Sequence, residues 1–323
     1  MKFNRLISAI DTFAVGMPHR VVLGGAPQIY GKTMKEKQDY FEQNLDHIRK
    51  IVVEGPDDDR SLVAALITEP TSEEADVGVI CMSSVGYANM CGSGTFAVGT
   101  TLIEAGIVEA REPVTEIVLD MIVGLQKVRA EVVDGSVRSV STITGPAFYY
   151  KQCFIDVPEI GQVLIDISYG LNFFEPMINA KELGIDINLD NARRLEKIGL
   201  AIRDKVNETV DLIHPTDPSI NKVFQVNFYD PAPANPDVDC RCVAIVGPGG
   251  IDLTPSGTST CAHMASLYAK GKLSIRDKFV MESITGAIIK GKIVGEVKYG
   301  KYDAIVPEIS GGGYIMRFLT IVN

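Results

Sequence analysis

One segment of this chain occurs twice, and that repeat limits what the chain can fold into. Residues 91–106 read CGSGTFAVGTTLIEAG and residues 256–271 read SGTSTCAHMASLYAKG. Shifted by 165 positions, Gly92 falls on Gly257, Thr95 on Thr260, Ala97 on Ala262, Leu102 on Leu267 and Gly106 on Gly271. Ser93 falls on Thr258, and Cys91 on Ser256. A strand-like stretch with a late glycine follows each copy: LDMIVG to Gly124 and MESITG to Gly286, 162 positions apart. The spacing is about half of the 323 residues. A period of this kind is the mark of an internal duplication. The expected fold is α/β (α+β) in two pseudo-symmetric halves, each a curved sheet or barrel around a central helix. The first lobe is expected over residues 1–150, carrying Cys91, and the second over 151–323, carrying Ser256. Linkers fall near 140–160 and near the C-terminus, where the tail crosses back.

Most of the remaining chain reads as strand. RVVLGG, RSLVAALI, VGVICMSS, TEIVLDMIV, GQVLIDISYG, KVFQVNFY, CVAIVG, KFVMESI and YDAIV are short, apolar and β-branched. Gly, Pro and Asp/Asn clusters separate them. Two stretches read as surface helices. One opens on the capping box Thr33-Met34-Lys35-Glu36 and runs to about Val53, with Phe41, Leu45, Ile48 and Val52 on one face. The other runs from about Asn191 to Val210, with Leu195, Ile198, Ile202 and Val206 as its stripe. Their charged faces read as solvated surface. The repeated segments read instead as buried helices, small at the start and ending at a glycine suited to the position after the helix.

Composition narrows the function. A net charge of -10 with scattered Lys and Arg argues against gripping a phosphate backbone, so no nucleic-acid partner is expected. No apolar run reaches the roughly 18 residues of a membrane span. The N-terminal stretch is interrupted by Asp11 and reads as a first strand rather than a signal peptide, which points to the cytoplasm. The six cysteines read as reduced thiols. Cys240 and Cys242 alternate onto one face of a strand, and no two of the four histidines stand at metal-ligand spacing, so no metal is expected.

The chemistry concentrates at the starts of the two repeated helices. The first turn of a helix has unpaired N–H groups and favours negative charge. Gly92-Ser93-Gly94 and Gly257-Thr258-Ser259 are small enough for a ligand to approach the backbone, so each start can cradle a carboxylate or phosphate. Pseudo-twofold halves would aim both starts at one small anion, with Cys91 on one side and Ser256 on the other. A cysteine at a helix start has its thiolate stabilised and can serve as a general base toward a substrate Cα without a cofactor. The plainer reading of Cys91 is a small buried residue. Asp252 likewise reads either as a ligand contact or as a turn residue ahead of Thr254-Pro255.

These residues resemble the two active-site motifs of the proline racemase family, which read MCGHG and DxSPCGTGTSA. Met90-Cys91-Gly92-Ser93-Gly94 is similar to the first, and residues 252–260 to the second. Ile10-Asp11-Thr12 with Gly16, Pro18, Arg20 and Val21-Val22 resembles the family's opening strand. Tyr169-Gly170 with Asn172-Phe173 resembles its YGGNF, and Glu282-Ser283-Ile284 with Gly286 and Val306-Pro307 with Ile309-Ser310-Gly311 resemble its C-terminal segments. The resemblance implies a diaminopimelate-epimerase-like fold, a homodimer and no cofactor. It implies that Cys91 removes the Cα proton of a proline- or hydroxyproline-like imino acid. It also implies that Asp252 receives the amine, while N–H groups around Gly92, Gly94, Gly257 and Thr258 hold the carboxylate. Ser93 stands where the motif has a substrate-holding His, Phe13 where the opening strand has His, and Ser256 where the second catalytic Cys belongs. Cys261, one turn into the helix, reads as packing.

A serine is a far weaker acid than a thiol, and no neighbouring His or Lys in the local sequence supports an alkoxide. Racemisation needs a base on each side, whereas dehydration needs one. The reading therefore leans to dehydration of trans-3-hydroxy-L-proline, resembling family dehydratases with Thr at the second position. The alternatives are a racemase or epimerase of proline or 4-hydroxyproline, and a non-catalytic amino-acid binder. Two further readings fit less well. Gly92-x-Gly94-x-x-Ala97 matches a dinucleotide fingerprint, but Asp120 lies too far along to meet a ribose. A cysteine hydrolase would need His19 or His263 as base. His263 lies two turns into its helix, and His19 reads equally as a surface residue.

Overall fold

The computed structural model describes residues 5–53, 62–84, 86–247 and 250–322. In chain order its elements are β1 (Leu6–Ala14), β2 (Met17–Gly24), α1 (Met34–Val53), β3 (Val63–Thr68), β4 (Val77–Ser83), β5 (Gly86–Ala88), α2 (Gly92–Glu104), β6 (Val114–Met121), β7 (Gly124–Val133), β8 (Ser136–Ile143) and β9 (Ala147–Val157). There follow β10 (Gly161–Gly170), β11 (Phe173–Asn179), α3 (Ala192–Thr209), β12 (Val226–Asp230), β13 (Cys240–Gly247), β14 (Gly250–Asp252), α4 (Gly257–Ala269), β15 (Lys278–Ser283), β16 (Ile288–Tyr299), β17 (Tyr302–Gly311) and β18 (Gly313–Val322). The chain forms two compact units. One holds the chain through Thr142 together with the segment from Ser310, and the other holds Ile143–Ile309.

The two units have the same strand order. In the first, β18 pairs antiparallel with β1, β1 with β2, and β3 with β4; β2–β3 and β4–β6 are parallel, and β6–β7 is antiparallel again. In the second, β9–β10, β10–β11, β12–β13 and β15–β16 are antiparallel, and β11–β12 and β13–β15 are parallel. A parallel step needs a crossover connection. The helices supply it at the same places, α1 and α2 in the first unit and α3 and α4 in the second. The short β5 and β14 sit at matching positions on β4 and β13. The C-terminal strand β18 thus plays for β1 the part that β9 plays for β10. The expected α/β architecture of two like halves is what the chain adopts.

Helices α2 and α4 are the centres of their units. Every residue of α2 from Gly92 to Ile103 is buried, and so is α4 from Gly257 to Ser266. The first packs on β1, β2, β7 and β18, the second on β9, β10, β11 and β16. The two match in both caps. Sγ of Cys91 accepts from Gly94 N at 3.3 Å, and Oγ of Ser256 accepts from Ser259 N at 3.3 Å. Thr95 and Thr260 each close a bond from Oγ1 onto the carbonyl of the capping residue at 2.8 Å. Each helix ends on a left-handed glycine, Gly106 at φ 69° and Gly271 at φ 67°, where a Cβ would be strained. The following N–H groups of Ile107 and Lys272 reach back to Leu102 O and Leu267 O at 2.9 and 2.8 Å.

The surface helices follow their apolar stripes, with one correction. Phe41, Leu45, Ile48 and Val52 of α1 are buried, as are Leu195, Ile202 and Val206 of α3. Each fully buried Leu, Ile or Phe contributes roughly 1.5–3 kcal/mol. At the start of α1, Thr33 Oγ1 accepts from Glu36 N at 3.2 Å, while the Glu36 carboxylate reaches Lys32 N at 2.8 Å. The charged face of α1 is not simply solvated. Arg49 is buried and donates to Ser83 O and Ser84 O at 2.7 and 3.1 Å, capping the end of β4. No helix among the described residues is long and apolar enough to cross a membrane.

Candidate active site

Cys91 sits at the junction where β5 hands over to α2. Its backbone is extended at φ −132°, and its Sγ faces back over the first helical turn. A Cβ on Gly94 would stand 3.2 Å from that sulfur, so glycine there lets Sγ and the Gly94 N–H meet. Ser93 Oγ lies 3.6 Å from Sγ. Gly92, Ser93 and Gly94 are all buried in this turn.

Behind Ser93 stands His19, which the sequence reading placed as readily on the surface as in a site. It is buried on β2, and its Nε2 is 2.9 Å from Ser93 Oγ while its Nδ1 is 3.1 Å from Met17 O. A carbonyl oxygen only accepts, so Nδ1 carries the hydrogen. Burial pushes the imidazole pKa down to about 4, against a smaller opposing effect of the Met17 bond. At neutral pH the ring is therefore uncharged, Nε2 accepts from the Ser93 hydroxyl, and a lone pair of Ser93 Oγ is turned toward Cys91.

The second helix start is built differently. Ser256 caps α4 with φ 60° and ψ 121°, a conformation that costs a side-chain-bearing residue of order 1–3 kcal/mol and is kept where the surroundings hold it. Its N–H donates to Thr254 Oγ1 at 3.0 Å, and its Oγ accepts from Ser259 N and from Gln225 Nε2 at 3.1 Å. Ser259 Oγ in turn donates to Glu175 Oε1 at 2.6 Å. Glu175 comes from β11 and Gln225 from just before β12; neither was picked out from the sequence. Ser259 stands where the second motif has Gly, and this hydroxyl is what draws Glu175 into the cluster. Asp252, at the end of β14, accepts from Thr254 N at 2.8 Å, and burial pushes its pKa up to about 6. Gly257 and Thr258 are buried in the first turn of α4.

Other residues singled out in the sequence have structural roles. Asp11 and Arg20 form a buried two-point ion pair at 2.8 and 2.9 Å, and Arg317 of β18 joins it at 2.9 Å. Asp120 accepts from Thr71 N and Oγ1 at 2.6 and 2.7 Å, holding a loop rather than a ribose. Cys261 is buried against Thr144 Oγ1 at 3.7 Å, which is the packing role expected of it. His263 is buried between Tyr229 and Phe279. Cys240 and Cys242 both face the core of β13, and burial raises both thiols. None of the six cysteines forms a disulfide among the described residues.

The family profile described as Proline racemase matches residues 9–322. The chain belongs to the proline racemase family. A proline racemase of Clostridioides difficile is 42% identical over 319 residues, which span 98% of this chain and 95% of that one. A trans-3-hydroxy-L-proline dehydratase of Bacillus cereus is 31% identical over 321 residues, spanning 98% and 95%. A crystal structure of a hydroxyproline epimerase from Agrobacterium vitis, with bound trans-4-hydroxy-L-proline, superposes with a TM-score of 0.89 at 27% identity, covering 100% of this chain and 92% of that one. As a member of the proline racemase family, the chain is an enzyme of the isomerase or hydro-lyase type.

Proposed function

We propose that this proline racemase-family enzyme uses the Cys91 thiolate to take the Cα proton from a proline- or hydroxyproline-like imino acid, without a cofactor. In this reading Gly92, Ser93, Gly94, Gly257 and Thr258 hold the substrate carboxylate. Asp252 meets the amine, and Ser256 is the counterpart of Cys91. The Gly94 N–H on Sγ and the α2 dipole favour the thiolate.

The reaction we favour is dehydration of trans-3-hydroxy-L-proline. One observation carries it: both lone pairs of Ser256 Oγ are met by donors, Ser259 N and Gln225 Nε2. The hydroxyl is arranged to give a hydrogen bond, not to take a proton. Cys91 removes the Cα proton, the electron pair becomes a Cα–Cβ double bond, and the C3–O bond breaks. The departing oxygen leaves hydrogen-bonded to Ser256, and the proton removed together with the hydroxide released amounts to one water. The enamine so formed tautomerises in water, losing the N–H proton and gaining one at C3, so incubation with trans-3-hydroxy-L-proline tests this by water loss and formation of the cyclic imine.

A second reading is racemisation or epimerisation of proline or 4-hydroxyproline. It is favoured by the 42% identity to a proline racemase along nearly the whole chain, against 31% to the dehydratase. Incubation of L-proline and the 4-hydroxyproline isomers in D2O separates the two. Deuterium at Cα with inversion supports this second reading, and deuterium with retention supports a single base.

A further inference from the structure

β11 is an apolar strand that carries one acid, Glu175, and this acid is fully buried. Its Oε1 accepts twice, from Ser259 Oγ at 2.6 Å and from Gln225 Nε2 at 2.7 Å. Its Oε2 is equally buried and has no hydrogen-bond partner among the described residues. Two donors on one oxygen and none on the other suit a carboxylic acid with its proton on Oε2, because an ionised Oε2 would leave half a charge without solvation. Burial pushes the Glu175 pKa up to about 8, the two hydrogen bonds opposing and the Asp252 charge adding to the rise. Gln225 Nε2 touches Ser256 Oγ as well, but an amide nitrogen donates and does not accept, so it offers no path for the serine proton to reach Glu175. The groups that face Glu175 are acidic or neutral: Asp252 from β14, Cys242 from β13, Cys261 from α4, and the Ser259 and Gln225 side chains.

We propose that Glu175 is a positioning residue for the start of α4: uncharged, it orients Gln225 and Ser259 so that Ser256 is a hydrogen-bond donor, and it leaves the helix N-terminus open to a ligand carboxylate; ionised, it repels that carboxylate. This rests on the reading above that α4 begins at a carboxylate site, and it adds the group that sets the alkaline limit of that site. A buried anion one side chain behind the cradle meets little screening.

The test is binding of pyrrole-2-carboxylate, measured by calorimetry between pH 6.5 and 9.5. A Cys91→Ala background keeps thiol ionisation out of the profile. Affinity in that background should fall about tenfold from pH 7 to pH 9, as one group near pH 8 ionises. Adding Glu175→Gln, which mimics the neutral acid, should cut that loss to less than about twofold. Equal losses in the two proteins overturn the proposal, and so does absent binding at pH 7. Infrared spectroscopy of the natural chain covers the case of a misfolded variant: the carbonyl band of a protonated acid should be present at pH 7 and fade by pH 9. Its absence at pH 7 overturns the proposal. Water loss from trans-3-hydroxy-L-proline, or Cα deuteration of proline, by the natural chain reads the proposed reaction separately, so a chain silent in both with a Glu175-dependent binding profile refutes the reaction alone.

Discussion

His19 holds the Ser93 hydroxyl at 2.9 Å, and Ser93 Oγ is a polar neighbour of Cys91 Sγ at 3.6 Å. Because the imidazole is neutral well below pH 7, this orientation persists across the working range. Replacing His19 with Phe keeps a ring but releases Ser93. The freed hydroxyl can then donate to the Cys91 thiolate, and a hydrogen bond of about 1 kcal/mol gained by the anion should speed iodoacetamide labelling of Cys91 at neutral pH by about fivefold. Labelling at the natural rate would mean that His19 only fills space.

The hydroxyl at position 256 separates one base from two. Ser256→Cys places a second thiol at the start of α4, where a thiolate is favoured. Deuterium exchange at Cα with inversion should rise by at least about tenfold. An unchanged stereochemical course would show that the second group does not reach the reacting carbon.

Asp11 joins β1, β2 and the returning strand β18 through Arg20 and Arg317. Removing one partner of a buried pair typically costs about 3–5 kcal/mol, because the other charge is left unpaired. Asp11→Ala should show a loss of that size in urea denaturation. Arg317 has half its side chain exposed, so Arg317→Gln should cost at most about 1 kcal/mol. Equal losses would contradict the assignment of Asp11–Arg20 as the buried pair.

His263 supplies a pH dependence of stability. Burial pushes its pKa down to about 4 from an ordinary value of 6.5. Between those values the unfolded chain binds the proton and the folded chain does not. The contribution is complete above about pH 6.5 and is lost as pH falls toward 4. His19 adds a loss in the same direction. His263→Phe, stacked on Phe279, should flatten part of this acid slope in thermal melts. A slope unchanged in the variant would show that the ring is not kept neutral.

The duplication was legible because it is written in residues with strict backbone demands. Gly106 and Gly271 adopt the left-handed conformation, and Cys91 and Ser256 both cap a helix. The surface helices were legible from their stripes. His19 was not, because alternation fails on β2: His19, Arg20, Val21 and Val22 are all buried, so the strand shows no polar face. Arg49 was misjudged because a charged residue on a surface helix gives no sign that carbonyls from β4 await it. Glu175 and Gln225 lie 50 positions apart and gather at the start of α4, on Ser259 and Ser256, only through the strand order of the second unit. A single acid inside an apolar strand was the signal that could have drawn attention to Glu175.

The central claim is that Cys91 takes a proton from the α-carbon of a cyclic imino acid. Mass and NMR analysis of trans-3-hydroxy-L-proline and L-proline incubated in D2O, with the natural chain and with Cys91→Ser, tests it most directly. The account predicts water loss from the 3-hydroxy compound, or Cα deuterium in either compound, with the natural chain, and neither with Cys91→Ser. Turnover that survives in Cys91→Ser, or an inert natural chain whose Cys91 still labels fast, would contradict it.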